Sequence, residues 1–509
     1  MMANIHGNRI NREYLRPDGS GFIASHGQDV IFANDAWFRG INLRYGPDGA
    51  VYLIDWYDPN ACHRASPEIW DRSNGRLFRV QYGALNPRKV DLESAKDAEL
   101  IDLHEAENDW YVRGARRVLQ ARHATAPSSE AAQACRTTLW ERAVDRSIPS
   151  TRRLRYLWTS HTIRSLSDAE ALTLLAGSDE NMRAWTLQLL TDRPRSADSS
   201  GIAEGSKLSP SVLAAVRGLT EAETSPRVRL YLASLLQRVS IEDRWELVAG
   251  LLRDGDHAID KNIPLMIWYG MGPLVQDDPT RAVALAAQSQ LPLVRQFIYR
   301  RVAMEPKLLP HLVAALADGS QTPIAEEIVA EMRRGAEQWG KIDSPARWSD
   351  AVAKLANSKD ESVRQSMQFL SITFGDASVF PSLRKTAADK QQPVALRREA
   401  ISALAQGRDP ELLNESLQLL GDPEVRADVI PLLARFDSEE VADRLISGYS
   451  AWPSTDRRAV IDVLISRPRL SHRLLDAVAQ DAIPGSDLNA IHVSRISQLG
   501  DEALVARLG

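Results

Sequence analysis

One short phrase recurs through the later four-fifths of the sequence. It consists of an acidic or small residue, a turn, an apolar residue followed by Arg, then an apolar helix face. It reads Asn108-Asp109-Trp110-Tyr111-Val112-Arg113 and Asp179-Glu180-Asn181-Met182-Arg183. It returns as Ser225-Pro226-Arg227-Val228-Arg229, Leu291-Pro292-Leu293-Val294-Arg295, Asp360-Glu361-Ser362-Val363-Arg364 and Asp422-Pro423-Glu424-Val425-Arg426. The intervals, roughly 45 to 70 residues, include near-multiples of the ~30–45 expected of two-helix repeats. An insertion rich in Ser, Gly and Asp over 195–208 accounts for some irregularity. The acid caps a helix by accepting from its unpaired N–H groups, and Pro suits the first helical position. The apolar residue is buried, and the Arg reaches a carbonyl or carboxylate of the neighbouring repeat. Leu100, Leu103, Ala106, Val112, Ala115 and Leu119 keep the same helical spacing. The expected fold class is therefore mainly α, a HEAT-like solenoid over 101–509. Val478 to Gly509 reads as helical without the phrase, as a cap or a cut end would.

Residues 1–83 follow a different period. Short apolar runs (Phe22-Ile23-Ala24, Val30-Ile31-Phe32, Ile41-Asn42-Leu43, Val51-Tyr52-Leu53-Ile54, Leu77-Phe78-Arg79-Val80) alternate with Pro17-Asp18-Gly19, Pro47-Asp48-Gly49 and Ser73-Asn74-Gly75. Asp-Gly and Asn-Gly favour tight hairpins because glycine accepts positive φ without steric cost. Repeated short antiparallel strands suit a propeller blade. About eighty residues make at most two blades of ~40–50 residues, too few to close a ring. The remaining blades come from another chain or precede this sequence, and the second is expected. Residues 84–100 read as a linker, and an unclosed β segment is expected to be less well folded than the helices.

Bulk composition excludes several classes. The 509 residues are 44% hydrophobic and 25% charged, with a net charge of −5 and acids and bases interleaved. No basic stripe marks a nucleic-acid surface. No run of about 18 apolar residues suits a transmembrane helix, and the first residues lack the apolar core of a signal peptide. Two cysteines, Cys62 and Cys135, cannot form a disulfide framework.

The candidate chemistry lies in the β segment: His6, Arg9, His26, Asp35 and Arg39 as catalytic groups, and Asp55, Asp58 and His63 as cofactor-binding groups. Imidazole, guanidinium and carboxylates converging from propeller loops can bind an anion and move a proton. The blander reading is that Asp caps turns and Arg39 or Arg72 pairs with it. Cys62-His63 ends like a Cys-x-x-Cys-His haem-attachment motif, but position 59 is Pro, which excludes covalent haem. No second Cys/His pair with metal-ligand spacing follows, so no metal site is expected there. Phosphate-loop, dinucleotide and zinc-protease motifs are absent. Asn262-Ile263-Pro264-Leu265-Met266-Ile267-Trp268-Tyr269 reads as a proline-started buried helix, with His257 and the acids ahead of it able to line a groove. His104 and His161 read as packing residues.

The phrases Ile5-His6-Gly7-Asn8-Arg9-Ile10-Asn11, His26-Gly27-Gln28-Asp29, Asp35-Ala36-Trp37-Phe38-Arg39 and Tyr45-Gly46-Pro47-Asp48-Gly49 resemble the end of a particular propeller. So do Asp55-Trp56-Tyr57-Asp58, Ala61-Cys62-His63 and Glu68-Ile69-Trp70-Asp71-Arg72-Ser73-Asn74-Gly75-Arg76. It is the propeller of the membrane-bound dehydrogenases, or haem-binding CxxCH proteins, of planctomycetes and verrucomicrobia. That propeller resembles quinoprotein sugar dehydrogenases; a HEAT-like region follows, then a c-type cytochrome domain. The resemblance implies a fragment of an enzyme oxidising a sugar or alcohol and passing electrons to a cytochrome c. It implies pyrroloquinoline quinone (PQQ) and haem c in full-length relatives, and a periplasmic or cell-envelope location. This chain encodes neither cofactor. Its implied partners are the missing blades and the cytochrome domain. The alternative expectation is a non-catalytic HEAT-repeat scaffold binding a protein or polysaccharide.

Overall fold

The structure, a computed structural model, describes residues 1–60, 73–84, 88–192, 206–319, 322–336, 338, 342–356 and 358–508. Within them the chain is mainly α: a HEAT-like helical-repeat solenoid preceded by a small all-β segment. It divides into two compact units, Met1–Ile298 and Tyr299–Gly509.

The β segment holds eight strands: β1 (Met2–Asn4), β2 (Arg9–Asn11), β3 (Glu13–Asp18), β4 (Gly21–His26), β5 (Ile31–Phe32), β6 (Gly40–Tyr45), β7 (Val51–Asp55) and β8 (Arg76–Val80). They form three antiparallel sheets, β1-β2-β5, β3-β4 and β6-β7-β8. The β3–β4 hairpin is thus an excursion between two strands of the first sheet. Both Pro-Asp-Gly turns join paired strands, with Gly19 and Gly49 at φ +58° and +80° as such turns require. A bulge between Ile41 and Arg44 places Asn42 in the left-handed region. Ser73-Asn74-Gly75 leads into β8, which pairs with β7. β1, β2 and β3 lack an apolar run and escape the sequence reading. The segment's buried core is Ile10, Phe38 and Leu53.

The first helix, α1 (Asp97–Asp102), begins inside the stretch read as linker. After it come α2 (Asp109–His123), α3 (Glu130–Val144), α4 (Ser150–Ile163), α5 (Asp168–Leu175), α6 (Glu180–Leu190), α7 (Pro210–Ala222), α8 (Pro226–Leu235), α9 (Ile241–Leu252) and α10 (Ile263–Asp277). α2, α4, α6, α8 and α10 pack on one another in series, as do α5, α7 and α9, giving the two layers of a helical-repeat solenoid. In the second unit the helices Thr322–Ala336, Glu361–Thr373 and Val394–Gly407 pack in the same sequential way. Helices Ala490–Ser497 and Glu502–Leu508 continue the helical pattern at the C-terminal end. α10 is proline-started, but Tyr269 is 57% exposed, so the helix is not fully buried.

The recurring Arg has a specific task. Arg183, Arg229, Arg295, Arg364 and Arg426 each donate to the carbonyl six residues upstream: Gly177, Glu223, Ser289, Ser358 and Leu420, at 2.9, 3.2, 2.7, 2.5 and 2.7 Å. Each such carbonyl lies just past the end of the preceding helix, where carbonyls lack intrahelical partners and the helix dipole is negative. Arg183, Arg229 and Arg426 also reach a carboxylate in a later element: Glu223, Asp254 and Asp456. Arg113 departs from the pattern, pairing with Asp109 and lying over the Tyr45 ring. The acids cap as expected at Asp179 and Asp360. Asp422 does not, because the helix after it starts only at Arg426; its carboxylate takes the Glu424 N–H and the Arg397 guanidinium instead.

Arg397 and Arg153 form a second kind of brace. Each donates Nε to the carbonyl ten residues upstream, Ala387 and Ala143, and pairs with an acid ahead, Asp422 and Asp179. The Arg397 side chain is fully buried. Arg397→Ala leaves the Asp422 carboxylate buried without its partner. The expected cost is about 3–5 kcal/mol in urea denaturation, against less than ~1 kcal/mol for Arg398→Ala, whose side chain is half-exposed.

His104 is fully buried between α1 and α4, with Nδ1 toward the Leu100 and Ile101 carbonyls and Nε2 2.7 Å from Thr159 Oγ1. Burial disfavours its cation and pushes its pKa from 6.5 down to about 4. The unfolded chain takes up the proton first, so this contribution is complete above pH 6.5 and is lost as the pH falls toward 4. The loss should approach about 3 kcal/mol, and His104→Phe should flatten the slope of stability against pH over that window.

Candidate functional site

The predicted residues fall into two clusters. In the first, Asp55 ends β7 with its carboxylate buried. Oδ1 accepts the main-chain N–H of Arg39 at 2.6 Å and of Tyr57 at 3.0 Å, and Oδ2 accepts Arg76 Nε at 2.6 Å. Arg76 also pairs with Asp35 at 3.2 Å and lies over the Tyr57 ring, 3.8 Å from its centre. Asp35 in turn accepts the Trp37 N–H. Arg39 is buried, and among the described residues its guanidinium donates to the Phe38 and Pro59 carbonyls. Asp58 accepts the Asn60 N–H, while its own N–H donates to the Trp37 carbonyl. Asp35 and Asp55 therefore meet at Arg76, which the sequence reading passed over in favour of Arg72, while Arg39 joins Asp55 through its main-chain N–H alone. Their bonds run to loop backbone and to Arg76, the geometry of a brace that fixes the β5–β6 connection and the described start of the chain after β7.

The second cluster joins Arg9 and His26 through Asp29. Arg9 Nη1 lies 3.1 Å from Asp29 Oδ2, and His26 Nε2 lies 3.3 Å from Oδ1. His26 Nδ1 stands 3.1 Å from Glu13, whose carboxyl is held below its ordinary value by hydrogen bonds from His26 and Asn11. The His26 ring is half-exposed and stands between the two carboxylates. Glu13 and Asp29 were not expected. His6 occupies the turn between β1 and β2. His63, with Cys62 and Arg72, lies outside the described residues.

The β segment rests on the helices at both Pro-Asp-Gly turns. At the first, Asp260 accepts the Ser20 N–H at 2.7 Å and its hydroxyl at 2.8 Å, and Lys261 pairs with Asp18 at 2.8 Å. Asp260 also accepts the N–H groups of Asn262 and Ile263 at the start of α10. Burial raises its pKa, but these donors together hold the carboxyl below its ordinary value. A Cβ on Gly19 would meet Asp260 Oδ2 at 2.2 Å, so the fit is close. At the second turn, Asn108 Nδ2 donates to the Gly46 carbonyl and the Tyr111 hydroxyl to that of Pro47, at 2.8 and 2.9 Å. The segment thus reaches from the start of α2 to the start of α10. The shared Pro-Asp-Gly wording was the sequence signal for these contacts.

His257 does line a groove. A cleft of about 380 Å³ is bounded by Glu221, Glu223, Arg229, Arg253, Asp254 and His257. Burial lowers the Arg229 pKa, while Asp254 beside it favours the charged form. Among the described residues no helix is long and apolar enough to cross a membrane.

Exposed apolar side chains are unevenly spread. Fifteen of the 21 large ones among the described residues lie between Met1 and Tyr82. Leu15, Phe22, Phe32 and Leu77 are each more than half exposed. β3 and β4 are exposed along nearly their whole length.

A family model described as a domain of unknown function (DUF7133) matches residues 1–84. A search of curated proteins finds no match. The crystal structure of Kap121p bound to Ste12p is 13% identical at a TM-score of 0.38, with 82% of this chain and 45% of that one covered. A homology model of the full-length AP-3 complex in an intermediate open conformation is 11% identical at a TM-score of 0.28, covering 80% and 76%. The chain spans less than half the length of Kap121p.

Asp260→Ala removes the acceptor of the hairpin tip and of two α10 N–H groups. It should cost about 1–3 kcal/mol and raise amide exchange across β3–β4 while sparing β6–β8. Lys261→Ala, which removes only an exposed ion pair, should cost under ~1 kcal/mol.

Proposed function

We propose that this chain is a non-catalytic helical-repeat scaffold whose N-terminal β segment docks a protein partner built of β-sheet. The observation that carries this reading is the concentration of exposed apolar side chains on short strands whose core cluster, among the described residues, is the small set Ile10, Phe38 and Leu53. Such a surface, on an otherwise well-buried protein, is the mark of an interaction site. Sheets of two and three strands leave edges able to accept further strands. Leu15, Ile23, Ile54 and Leu77 are aliphatic, which favours a protein surface over a polysaccharide.

The candidate catalytic groups support the same side of the choice. Asp35, Arg39 and Asp55 are engaged in bracing loops, which serves a blade as a building element. The resemblance to the end of a quinoprotein-type propeller supports further blades of that kind as the occupant. With it come a cell-envelope setting and an oxidoreductase ancestry, in which PQQ and a cytochrome c would belong to the assembled protein.

A photo-crosslinking residue at Phe32 or Leu77 should trap one defined β-sheet protein in the native host, and one at Tyr269 of α10 should not. Absence of an adduct from both β positions would sink the docking reading. Turnover of a sugar or alcohol by the purified chain with added PQQ and a dye acceptor, abolished by His26→Ala, would overturn the non-catalytic one.

A further inference from the structure

We propose that Asp97, His123 and Cys135 form a binding site for a divalent transition-metal ion of the zinc type. α1 supplies Asp97 as its first residue, α2 supplies His123 as its last, and α3 supplies Cys135 from its buried side. One ligating atom of each lies within 4.8 Å of the other two. His123 Nε2 stands 2.5 Å from Asp97 Oδ2, while Arg122 Nη1 holds the other carboxylate oxygen at 2.8 Å. Arg122 thereby fixes the plane of the carboxylate and leaves Oδ2 turned toward the imidazole. Cys135 is buried and carries a free thiol.

The donor set decides the ion. Calcium and magnesium take oxygen ligands, whereas imidazole with thiolate selects zinc and its spectroscopic substitute cobalt. With bonds of about 2.0–2.3 Å, tetrahedral donors stand roughly 3.4 Å apart. The Asp97–His123 pair therefore opens by about 1 Å and the sulfur moves inward, a modest change for side chains on three separate helices. On binding, the Cys135 S–H bond breaks and its proton leaves to water. The His123 Nε2–H proton, held against Asp97 in the metal-free chain, also leaves, and the neutral ring carries its remaining proton on Nδ1. The sulfur and Nε2 electron pairs form the bonds to the metal, and no electron is transferred. Asp97, 29% exposed, marks the side from which the ion and a fourth, water ligand enter. The ion would fasten α1, α2 and α3 together where the solenoid begins. This site is independent of the docking reading above.

The test is cobalt titration of the full chain, reduced and freed of metal by chelation. Wild type and Cys62→Ser should bind one Co²⁺ with a thiolate-to-cobalt charge-transfer band in the near ultraviolet. Cys135→Ser should lose the band while keeping its far-ultraviolet circular dichroism. His123→Gln and Asp97→Asn should weaken binding by more than the roughly 100-fold that is the upper end for loss of an outer-shell partner. Zinc should raise the melting temperature of wild type and not of Cys135→Ser. No band in wild type, or a band that survives Cys135→Ser, overturns the proposal.

Discussion

A two-helix repeat must satisfy the carbonyls that its first helix leaves unpaired at its end. Here a guanidinium supplied from the start of the second helix does so, at the same six-residue offset in five repeats. The interaction explains why the phrase is built as it is. The apolar residue before the Arg is buried, as Val228 and Val363 are, and the Arg that follows reaches the carbonyl at the junction. A planar fork of donors can then hold a carbonyl with one nitrogen and a carboxylate of the next repeat with another. The Arg183–Glu223 pair shows this in full: the acid sits just beyond α7 and also takes the N–H groups of Thr224 and Ser225. One side chain thus ties the end of one helix, the start of a second and the entry to a third.

The β segment depends on that framework more than on itself. A core of Ile10, Phe38 and Leu53 is small beside the continuous cores of the helical region. Isolated two-stranded hairpins are marginal in water. β3–β4 is held at its tip by Asp260, and the β6–β7 turn by Asn108 and Tyr111. Both anchors sit at helix starts, where the chain turns and polar side chains are free of the packed layers. The segment therefore ties together helices about 150 residues apart in sequence, α2 and α10.

The helical architecture was legible because its signal repeats. Asp179, Asp360 and the Val-Arg pairs each carry weak information, but recurrence of one phrase, even at irregular intervals, points to one physical task. The β1, β2 and β3 strands were not legible. Met2–Asn4 and Arg9–Asn11 are three-residue strands set by pairing partners rather than by alternation. At the candidate site the residue types were named with partial success. Asp35 and Asp55 do come together, but at Arg76 rather than at the Arg39 guanidinium, because the β7–β8 register sets Asp55 opposite Arg76 and no local pattern shows it. Asp422 failed as a cap for a related reason. Arg397, 25 residues upstream, draws the carboxylate away from the helix start.

The distinction between a brace and a reactive site rests on where each carboxylate directs its oxygens. Asp55 faces two main-chain N–H groups and a guanidinium, all from the loops it joins, in a place without solvent. Moving a proton there would break the contacts that shape the loop. The Arg9–Asp29–His26–Glu13 chain is different: its imidazole is half-exposed and lies between two carboxylates. If a partner's blades close over the β segment, this second cluster is the part of the chain whose solvent they would remove. Desolvation strengthens each of its charge interactions. Any proton chemistry in the assembled protein would thus be expected at the half-exposed His26 between Glu13 and Asp29 rather than at Asp55, whose oxygens are taken by two main-chain N–H groups and Arg76.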